Sequence, residues 1–358
     1  MTSVAAARLW FVSSDAPSYP WPVASATGVG SMPGTDPAEA IAVILGELPD
    51  LPHLPELPAR GPGADLTGRS AALLIDMAVE TTPNGWKFAA RPGRDQRRAA
   101  GMLSADLDAV AEAMDGYAGA FKIQVCGPWT LAATIELTHS QNPALADPGA
   151  SADVAASLAE GVAAHVAAIR ERVPGATVLV QLDEPSLPAV LAGAVPTASG
   201  LNRVGAVDVT VTRDGLRTVL DATTAFGLVH CCAPDVPFGL MKDAGAQAVG
   251  FDLSQLRRGD EDGLAELAEA GIGLLAGAVR TDPERSARDA SPKPRETAER
   301  VIELWHRMGI PPGRLAEQVV ITPACGLAGL PPAGARAALA GCREAARIVP
   351  ELVEEGAQ

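Results

Sequence analysis

The chain has 358 residues, which is long for one domain but within the range of a parallel α/β barrel with insertions. Hydrophobic residues make up 47% of it and aromatic residues only 4%, so the core is expected to consist mainly of Ala, Val and Leu. The formal net charge of −15 argues against a nucleic acid or an anionic membrane as a partner, because either surface would repel the protein.

Targeting signals and cysteine usage indicate a cytoplasmic protein. Residues 1–13 contain a short apolar patch but no hydrophobic core typical of a signal peptide. No stretch of about twenty apolar residues runs without a charge or a proline-rich break, so we expect no membrane span. The five cysteines are an odd number, and a reducing compartment would keep them available as thiols.

Short apolar runs alternate with Ala-rich, charge-punctuated stretches along the chain, as in a parallel sheet with crossover helices. Eight such runs predict a single (β/α)8 TIM barrel. They are Ala26–Gly30, Trp86–Ala89, Lys122–Cys126, Thr177–Leu182, Phe226–His230, Ala248–Asp252, Ile272–Ala278 and Gln318–Thr322. The predicted helices are Ala152–Val173, Asp214–Ala225, Gly263–Ala270, Glu296–Met308 and Ala333–Val349. We therefore divide the chain into an N-terminal extension (1–25), a barrel domain (26–350) and a C-terminal tail (351–358).

Three stretches between these runs have their own signals. Asp50–Gly68 contains four prolines and cannot form a continuous helix, so an ordered Pro-rich arm is expected near the N-terminus. Asp76 and Glu80 are spaced to share one face of a helix, either on the surface or at a site. Thr281–Arg295 combines prolines with several charges and is typical of a solvated loop or lid.

His230, Cys232 and Cys325 follow the ends of two apolar runs, where a parallel barrel collects its chemistry. One imidazole and two sulfurs suit Zn²⁺, and three protein ligands leave a position for substrate, as in catalytic zinc sites. The alternative is that these cysteines pack as small hydrophobic residues. We assign that packing role to Cys126 and Cys342, and we favour zinc for the other three residues.

Carboxylates end two further runs. Asp183 and Glu184 follow the fourth run, where they could bind an ammonium group or act as acid or base, although Glu184 could equally cap a helix. Asp252 ends the sixth run and is either a fourth zinc ligand or a group that orients His230. After the first run, Gly30 and Ser31 lie in a glycine-bearing turn whose amides could approach an anionic group; the alternative is a plain tight turn.

Together these motifs resemble the catalytic, C-terminal barrel of cobalamin-independent methionine synthases, in the superfamily shared with uroporphyrinogen decarboxylase. The resemblance extends from about residue 26 to 330. It rests on Gly30-Ser31, Gly127-Pro128, Gln181-Leu-Asp-Glu-Pro185, His230-Cys-Cys232 and Cys325-Gly-Leu327. This chain resembles a short form with a single barrel.

The resemblance implies that His230, Cys232, Asp252 and Cys325 bind Zn²⁺ and that the metal holds homocysteine as a thiolate ready for methyl transfer. By the same resemblance, the segment at Gly30 and Ser31 would hold the amino-acid carboxylate. Asp183 would hold the ammonium group. Glu80 matches another carboxylate of the family that contacts the same amine.

Several positions depart from the family pattern. Asp252 stands where the family usually has Glu, Arg280 where it has a histidine segment, and Ala324 where it has Asp. The last two positions face the methyl donor, so the acceptor half of the site is better preserved than the donor half. The donor could be methylfolate or a methylated corrinoid protein.

The sequence thus predicts a zinc-dependent S-methyltransferase that forms methionine from homocysteine. One alternative is a zinc-binding barrel without methyl transfer, in a binding or regulatory role. The other is a decarboxylase similar to uroporphyrinogen decarboxylase, although such enzymes grip their substrate with arginines that are sparse at these strand ends.

Overall fold

The structure, a computed structural model, describes residues 19–281 and 293–356. The strands in these ranges are β1 (Ala78–Thr82), β2 (Gly85–Ala89), β3 (Gly119–Cys126), β4 (Ile135–Glu136), β5 (Ala176–Asp183), β6 (Phe226–Cys231), β7 (Ala248–Asp252), β8 (Gly273–Val279) and β9 (Val319–Pro323). The α-helices are α1 (Pro37–Glu47), α2 (Leu66–Ala71), α3 (Arg94–Ala113), α4 (Pro128–Thr134), α5 (Pro148–Arg172), α6 (Leu187–Leu191), α7 (Val209–Leu220), α8 (Phe238–Asp243), α9 (Glu261–Glu269), α10 (Pro294–Arg307), α11 (Leu315–Gln318) and α12 (Pro332–Gly356).

The central sheet contains six parallel strands in the order β3-β5-β6-β7-β8-β9. The alternation of apolar runs and helices correctly predicted this parallel α/β arrangement, and each of the six strands overlaps a predicted run. Its register places Asp183 beside His230 and His230 beside Gly250 on successive strands. The carboxyl ends therefore meet at one edge, which positions the predicted site residues near one another.

Two further segments, residues 25–32 and 52–56, lie between the edge strands β9 and β3. They make single parallel bridges: Ala26 with Ile321 of β9, Ser31 with Glu56, and His53 with Lys122 of β3. Main-chain bonds support each bridge, among them Thr27 N–H to the Ile321 carbonyl at 3.1 Å and Leu54 N–H to the Lys122 carbonyl at 2.8 Å. Each segment contributes bridges rather than a continuous ladder.

The prediction that Trp86–Ala89 belongs to the barrel was wrong. It lies in β2, which pairs antiparallel with β1 in a separate small sheet. The two-residue loop Pro83-Asn84 precedes Gly85, whose φ of 137° is accessible to glycine, and an Asn-Gly step is a strong hairpin signal. Glu80 therefore lies on a strand and Asp76 outside any helix, which corrects the predicted helical face.

The proline-rich stretch is packed inside the protein, and the structure does not confirm the predicted arm. Leu51, Leu54 and Leu57 are all fully buried. The prolines are tolerated because the N–H groups that form inter-segment bonds belong to Leu54 and Glu56. A proline-rich segment can thus lie beside a strand when few of its residues need to donate a main-chain N–H group.

The five predicted helices correspond to α5, α7, α9, α10 and α12. Helix α12 continues to residue 356, into the stretch predicted as a tail. Of the predicted loop Thr281–Arg295, residues 282–292 lie outside the described residues. Helix α5 is long and apolar enough to cross a membrane, but half of its most apolar window is buried inside the protein, as in the core helix of a soluble domain.

Candidate metal and amino-acid site

His230 lies near the carboxyl end of β6, held between two neighbouring strands. Its Nδ1 lies 2.8 Å from Oδ1 of Asp183 on β5. On the other side its ring covers Gly250 of β7, where a Cβ atom would come within 3.0 Å of the imidazole Cδ2. A carboxylate accepts but does not donate, so this contact assigns a proton to Nδ1; in the neutral imidazole Nε2 is then the nitrogen with a lone pair for a ligand.

Cys232 and Cys325 follow β6 and β9 and bring their sulfurs within 3.6 Å of each other. The hydrogen bond with Cys232, supported by nearby His230, lowers the pKa of Cys325 to about 6, although burial opposes this. The same contact, together with burial, raises the pKa of Cys232. One member of the pair is therefore poised to be a thiolate at neutral pH, the form that binds a metal.

This donor set fits zinc in its chemistry and its sulfur spacing. Two sulfurs bound tetrahedrally at about 2.3 Å lie about 3.8 Å apart, close to the separation of the two thiols. A carboxylate on the remote nitrogen of His230 is the usual partner of a metal-binding imidazole. Across residues 19–281 and 293–356, however, no three His, Cys, Asp or Glu side chains are arranged so that they could hold a metal ion.

Asp252, the predicted fourth ligand, ends β7 at the carboxyl edge of the sheet, the same edge at which His230, Cys232 and Cys325 lie; we call this edge the rim. Its Oδ1 accepts the N–H of Ser254 at 2.8 Å and so caps the turn that follows the strand. A carboxylate with one oxygen in a cap retains the other for a ligand. Coordination by Asp252 stays a prediction.

Ser31 lies against the turn that carries Cys325. A Cβ atom on Gly326 would approach Ser31 Oγ to 2.0 Å, and Leu327 donates its N–H to the Ser31 carbonyl at 2.8 Å. Gly30 faces Gln124, whose Cγ would lie 2.8 Å from a Cβ at this position. A side chain at position 30 would thus collide with Gln124, and the segment brings Ser31 beside the turn that carries Cys325.

Glu56 is a residue that the sequence analysis missed. It is 6% exposed, pairs with Ser31 through a parallel bridge and lies 3.7 Å from the guanidinium of Arg69. Burial raises its pKa to about 7, partly offset by Arg69, and nearby Asp183 adds to the rise. A second carboxylate thus lies near Asp183. The sequence analysis did not select it because the prolines around it suggested an arm rather than a site.

Lys122 and Gln124 of β3 are also buried, and both point toward segments 25–32 and 52–56. Lys122 Nζ donates to the Val29 carbonyl at 2.9 Å, and Gln124 Nε2 donates to the Leu54 carbonyl at 2.6 Å. Burial lowers the pKa of Lys122 to about 8, with Asp183 and Glu56 opposing. The signal for both was present in the sequence, since polar residues alternate with Ile123 and Val125 in an otherwise apolar run.

Glu184 caps the start of α4, which precedes it in the chain, and not the helix that follows it, which was the predicted capping role. Its carboxylate accepts the N–H groups of Trp129 and Thr130 at 2.9 and 2.8 Å, at the start of α4. Burial raises the pKa of Glu184 to about 7, and these hydrogen bonds oppose the shift. The residue fixes α4 against β5 and has no free oxygen for a substrate.

Glu80 stands apart from this cluster. It is an exposed residue of β1 paired in register with Lys87. Among the described residues, no hydrogen bond or ion pair links it to Asp183 or Ser31. Its predicted contact with the substrate amine stays a prediction.

Comparison with known proteins found a family model and solved structures that match this chain. The family model described as "Cobalamin-independent synthase, Catalytic domain" matches residues 133–348. Among solved structures, a B12-independent methionine synthase from Shewanella sp. W3-18-1 in complex with selenomethionine is similar in fold, with a TM-score of 0.58 and 11% identity. The alignment covers 93% of this chain and 100% of that one. No curated protein matches.

Proposed function

Since the chain belongs to the family of cobalamin-independent synthase catalytic domains, we propose that it is a zinc-dependent S-methyltransferase that methylates homocysteine to methionine. The observation that carries this proposal is the pair of thiols 3.6 Å apart beside a carboxylate-held histidine. His230, Cys232 and Cys325 would hold the metal, with Asp252 as the candidate fourth ligand. Zinc bound there would supply Lewis acidity that keeps the homocysteine sulfur deprotonated.

The groups around the rim suit the rest of an amino-acid substrate. Gly30 and Ser31 would hold the carboxylate through main-chain N–H groups and the Ser31 hydroxyl. Asp183 would hold the ammonium group, and Glu56 is better placed than Glu80 to assist it, because it is buried close to Asp183. Two carboxylates around one ammonium group would favour an amino acid over a simple thiol.

The methyl donor is a small methyl compound such as methylfolate, or a methylated corrinoid protein. Ala324 and Arg280 occupy the face where the donor would lie. A protein that had lost its donor chemistry would still bind zinc and homocysteine, so binding and turnover are separate tests.

We also infer that the sheet closes into a complete eight-membered barrel. The bridges of segments 25–32 and 52–56 to β9, to each other and to β3 support this, since they join the two edges of the six-stranded sheet. Closure would place Ser31 and Glu56 on the same rim as His230 and Cys325.

The first test measures zinc content together with proton release on homocysteine binding, because binding a thiol as thiolate liberates a proton. We expect stoichiometric zinc and a released proton in the intact protein, and loss of both in Cys232→Ser. Cys342→Ala is the matched control, since Cys342 is buried in α12 away from the rim and should leave both unchanged. An intact protein without zinc or proton release would end the methyltransferase proposal.

A further inference from the structure

Resting on the function just proposed, we propose that Gln181 is the positioning residue that couples the amino-acid subsite to the metal-binding histidine. Gln181 is 1% exposed and lies on β5, two residues before Asp183. It touches neither of the thiols, so it would act only through the groups it holds.

Both N–H bonds of the Gln181 amide are used, and they point to two different parts of the site. Nε2 donates to the Val29 carbonyl at 2.9 Å and to Asp183 Oδ1 at 2.7 Å. Val29 lies between Gly28 and Gly30, in the segment that brings Ser31 to the rim. One amide group thus fixes the distance between the predicted carboxylate subsite and Asp183.

Asp183 has two roles in this proposal: it orients His230 and it binds the substrate ammonium group. Its Oδ1 accepts from both Gln181 and His230, at 2.7 and 2.8 Å. No hydrogen bond from the described residues reaches Oδ2, which is therefore the oxygen left for a substrate ammonium group. Any rotation of this carboxylate would move the imidazole and the ammonium subsite together, so Gln181, by holding Oδ1, sets both.

The Val29 carbonyl has a second donor, which makes the effect of Gln181 testable. Lys122 Nζ donates to the same oxygen at 2.9 Å from the neighbouring strand, β3. Removing the amide of Gln181 leaves the glycine-bearing segment anchored by Lys122, while Asp183 loses a partner that nothing replaces. The fold should persist while the carboxylate becomes free to turn.

The test compares Gln181→Met with the unaltered protein in zinc affinity, by competition with a chelator, and in thiol binding. Thiol binding uses homocysteine and 4-mercaptobutanoate, which lacks the amino group. We expect zinc affinity to fall about tenfold, the low end for the loss of a partner outside the ligand shell. We also expect the preference for homocysteine over 4-mercaptobutanoate to shrink about fivefold, the equivalent of one ordinary hydrogen bond.

Gln318→Met is the matched control. Gln318 is equally buried and donates to the Ala268 and Ile272 carbonyls, at 2.8 Å each, at the other end of the sheet. A purely structural loss would leave the homocysteine preference unchanged in both variants. If Gln181→Met retains the preference and zinc affinity of Gln318→Met, the coupling role is overturned while the proposed function stands.

Two other outcomes are decisive as well. An unaltered protein that binds neither zinc nor homocysteine overturns the proposed function and this inference together. If Gln181→Met does not fold, Gln181→Asn replaces it, because its amide is one methylene shorter and cannot span Val29 and Asp183. We expect an intermediate loss of preference there, and a preference equal to that of the unaltered protein would refute the coupling.

Discussion

The two halves of the sheet region are held together in different ways. From β5 to β9, continuous parallel ladders join apolar strands, and the family match covers most of this half. Segments 25–32 and 52–56 make only single bridges, and buried side chains such as Lys122 and Gln124 supply the remaining bonds to their carbonyls. We therefore expect the stability of the first half to depend mainly on the volume of its buried side chains. The stability of the second half should depend on single buried polar groups.

The largest expected effect is at Asp106, a fully buried residue of α3. It accepts from Arg69 at 2.6 Å and from Arg60 at 2.7 Å; Arg60 lies within the proline-rich stretch and Arg69 directly follows it. Asp106→Asn removes the carboxylate that both guanidinium groups share, and it leaves the buried Arg69 with only Glu56, at 3.7 Å, as a counter-charge. We expect it to lower the free energy of unfolding by about 3 kcal/mol, measured by urea denaturation.

The control for this substitution lies two residues further along the same helix. Asp108 pairs with Arg172 at 3.3 Å, and 67% of its side chain is exposed. Water screens such a pair, so Asp108→Asn should change the free energy of unfolding by less than about 1 kcal/mol. Equal changes in the free energy of unfolding at the two positions would show that the buried ion pairs of Asp106 do not stabilise the protein more than an exposed pair does.

An effect that reaches a similar size only at the upper end of its pH range is expected for Glu56→Gln. Burial raises the pKa of Glu56 from 4.5 to about 7 in the folded protein. The folded state then binds more protons than the unfolded state between these values, so the stabilising contribution is complete below pH 4.5 and is lost as pH rises through 7. Glutamine has no proton to lose.

We therefore expect Glu56→Gln to gain stability relative to the unaltered protein as pH rises from 4.5 to 7, by up to about 3 kcal/mol. Urea denaturation across this pH window measures the difference. Glu80→Gln, at an exposed carboxylate, is the matched control. A flat difference for Glu56→Gln would mean that this carboxylate is solvated rather than buried between segment 25–32 and β3.

The same contrast explains which features the sequence could predict. Apolar runs such as Ala248–Asp252 are strands because their side chains are buried on both faces, and that property is local in the sequence. His230, Cys232 and Asp183 were found because they follow such runs. The bridge-forming segment around His53 was missed because its role depends on Lys122 and on residues 30–31, which are distant in the chain.

The hairpin shows the converse error. Trp86–Ala89 has the composition of a buried strand, yet its partner is the adjacent β1 because the Asn84-Gly85 step turns the chain back at once. Glu56 was hidden for a related reason, since its neighbouring prolines suggested an external arm. Local patterns predicted strand formation well, but which partner each strand pairs with depends on the whole fold.

The smallest effects compare a closely packed glycine of helix α5 with a glycine of helix α3 that faces open space. Gly161 lies in α5, where a Cβ atom would come within 2.0 Å of the Leu73 carbonyl oxygen. Gly101 lies in α3, where a Cβ would meet nothing within 4 Å. Alanine usually stabilises a helix interior relative to glycine by about 0.5 to 1 kcal/mol, so the two positions should respond with opposite signs.

We expect Gly101→Ala to raise the free energy of unfolding by about 0.5 to 1 kcal/mol. Gly161→Ala should lower it by about 1 to 3 kcal/mol, because a main-chain oxygen must move to admit the methyl group. Thermal and urea denaturation of both variants measure the difference. If both substitutions stabilise the protein, α5 packs less tightly against Leu73 than the structure shows, and a methyl group fits at position 161 without moving the main chain.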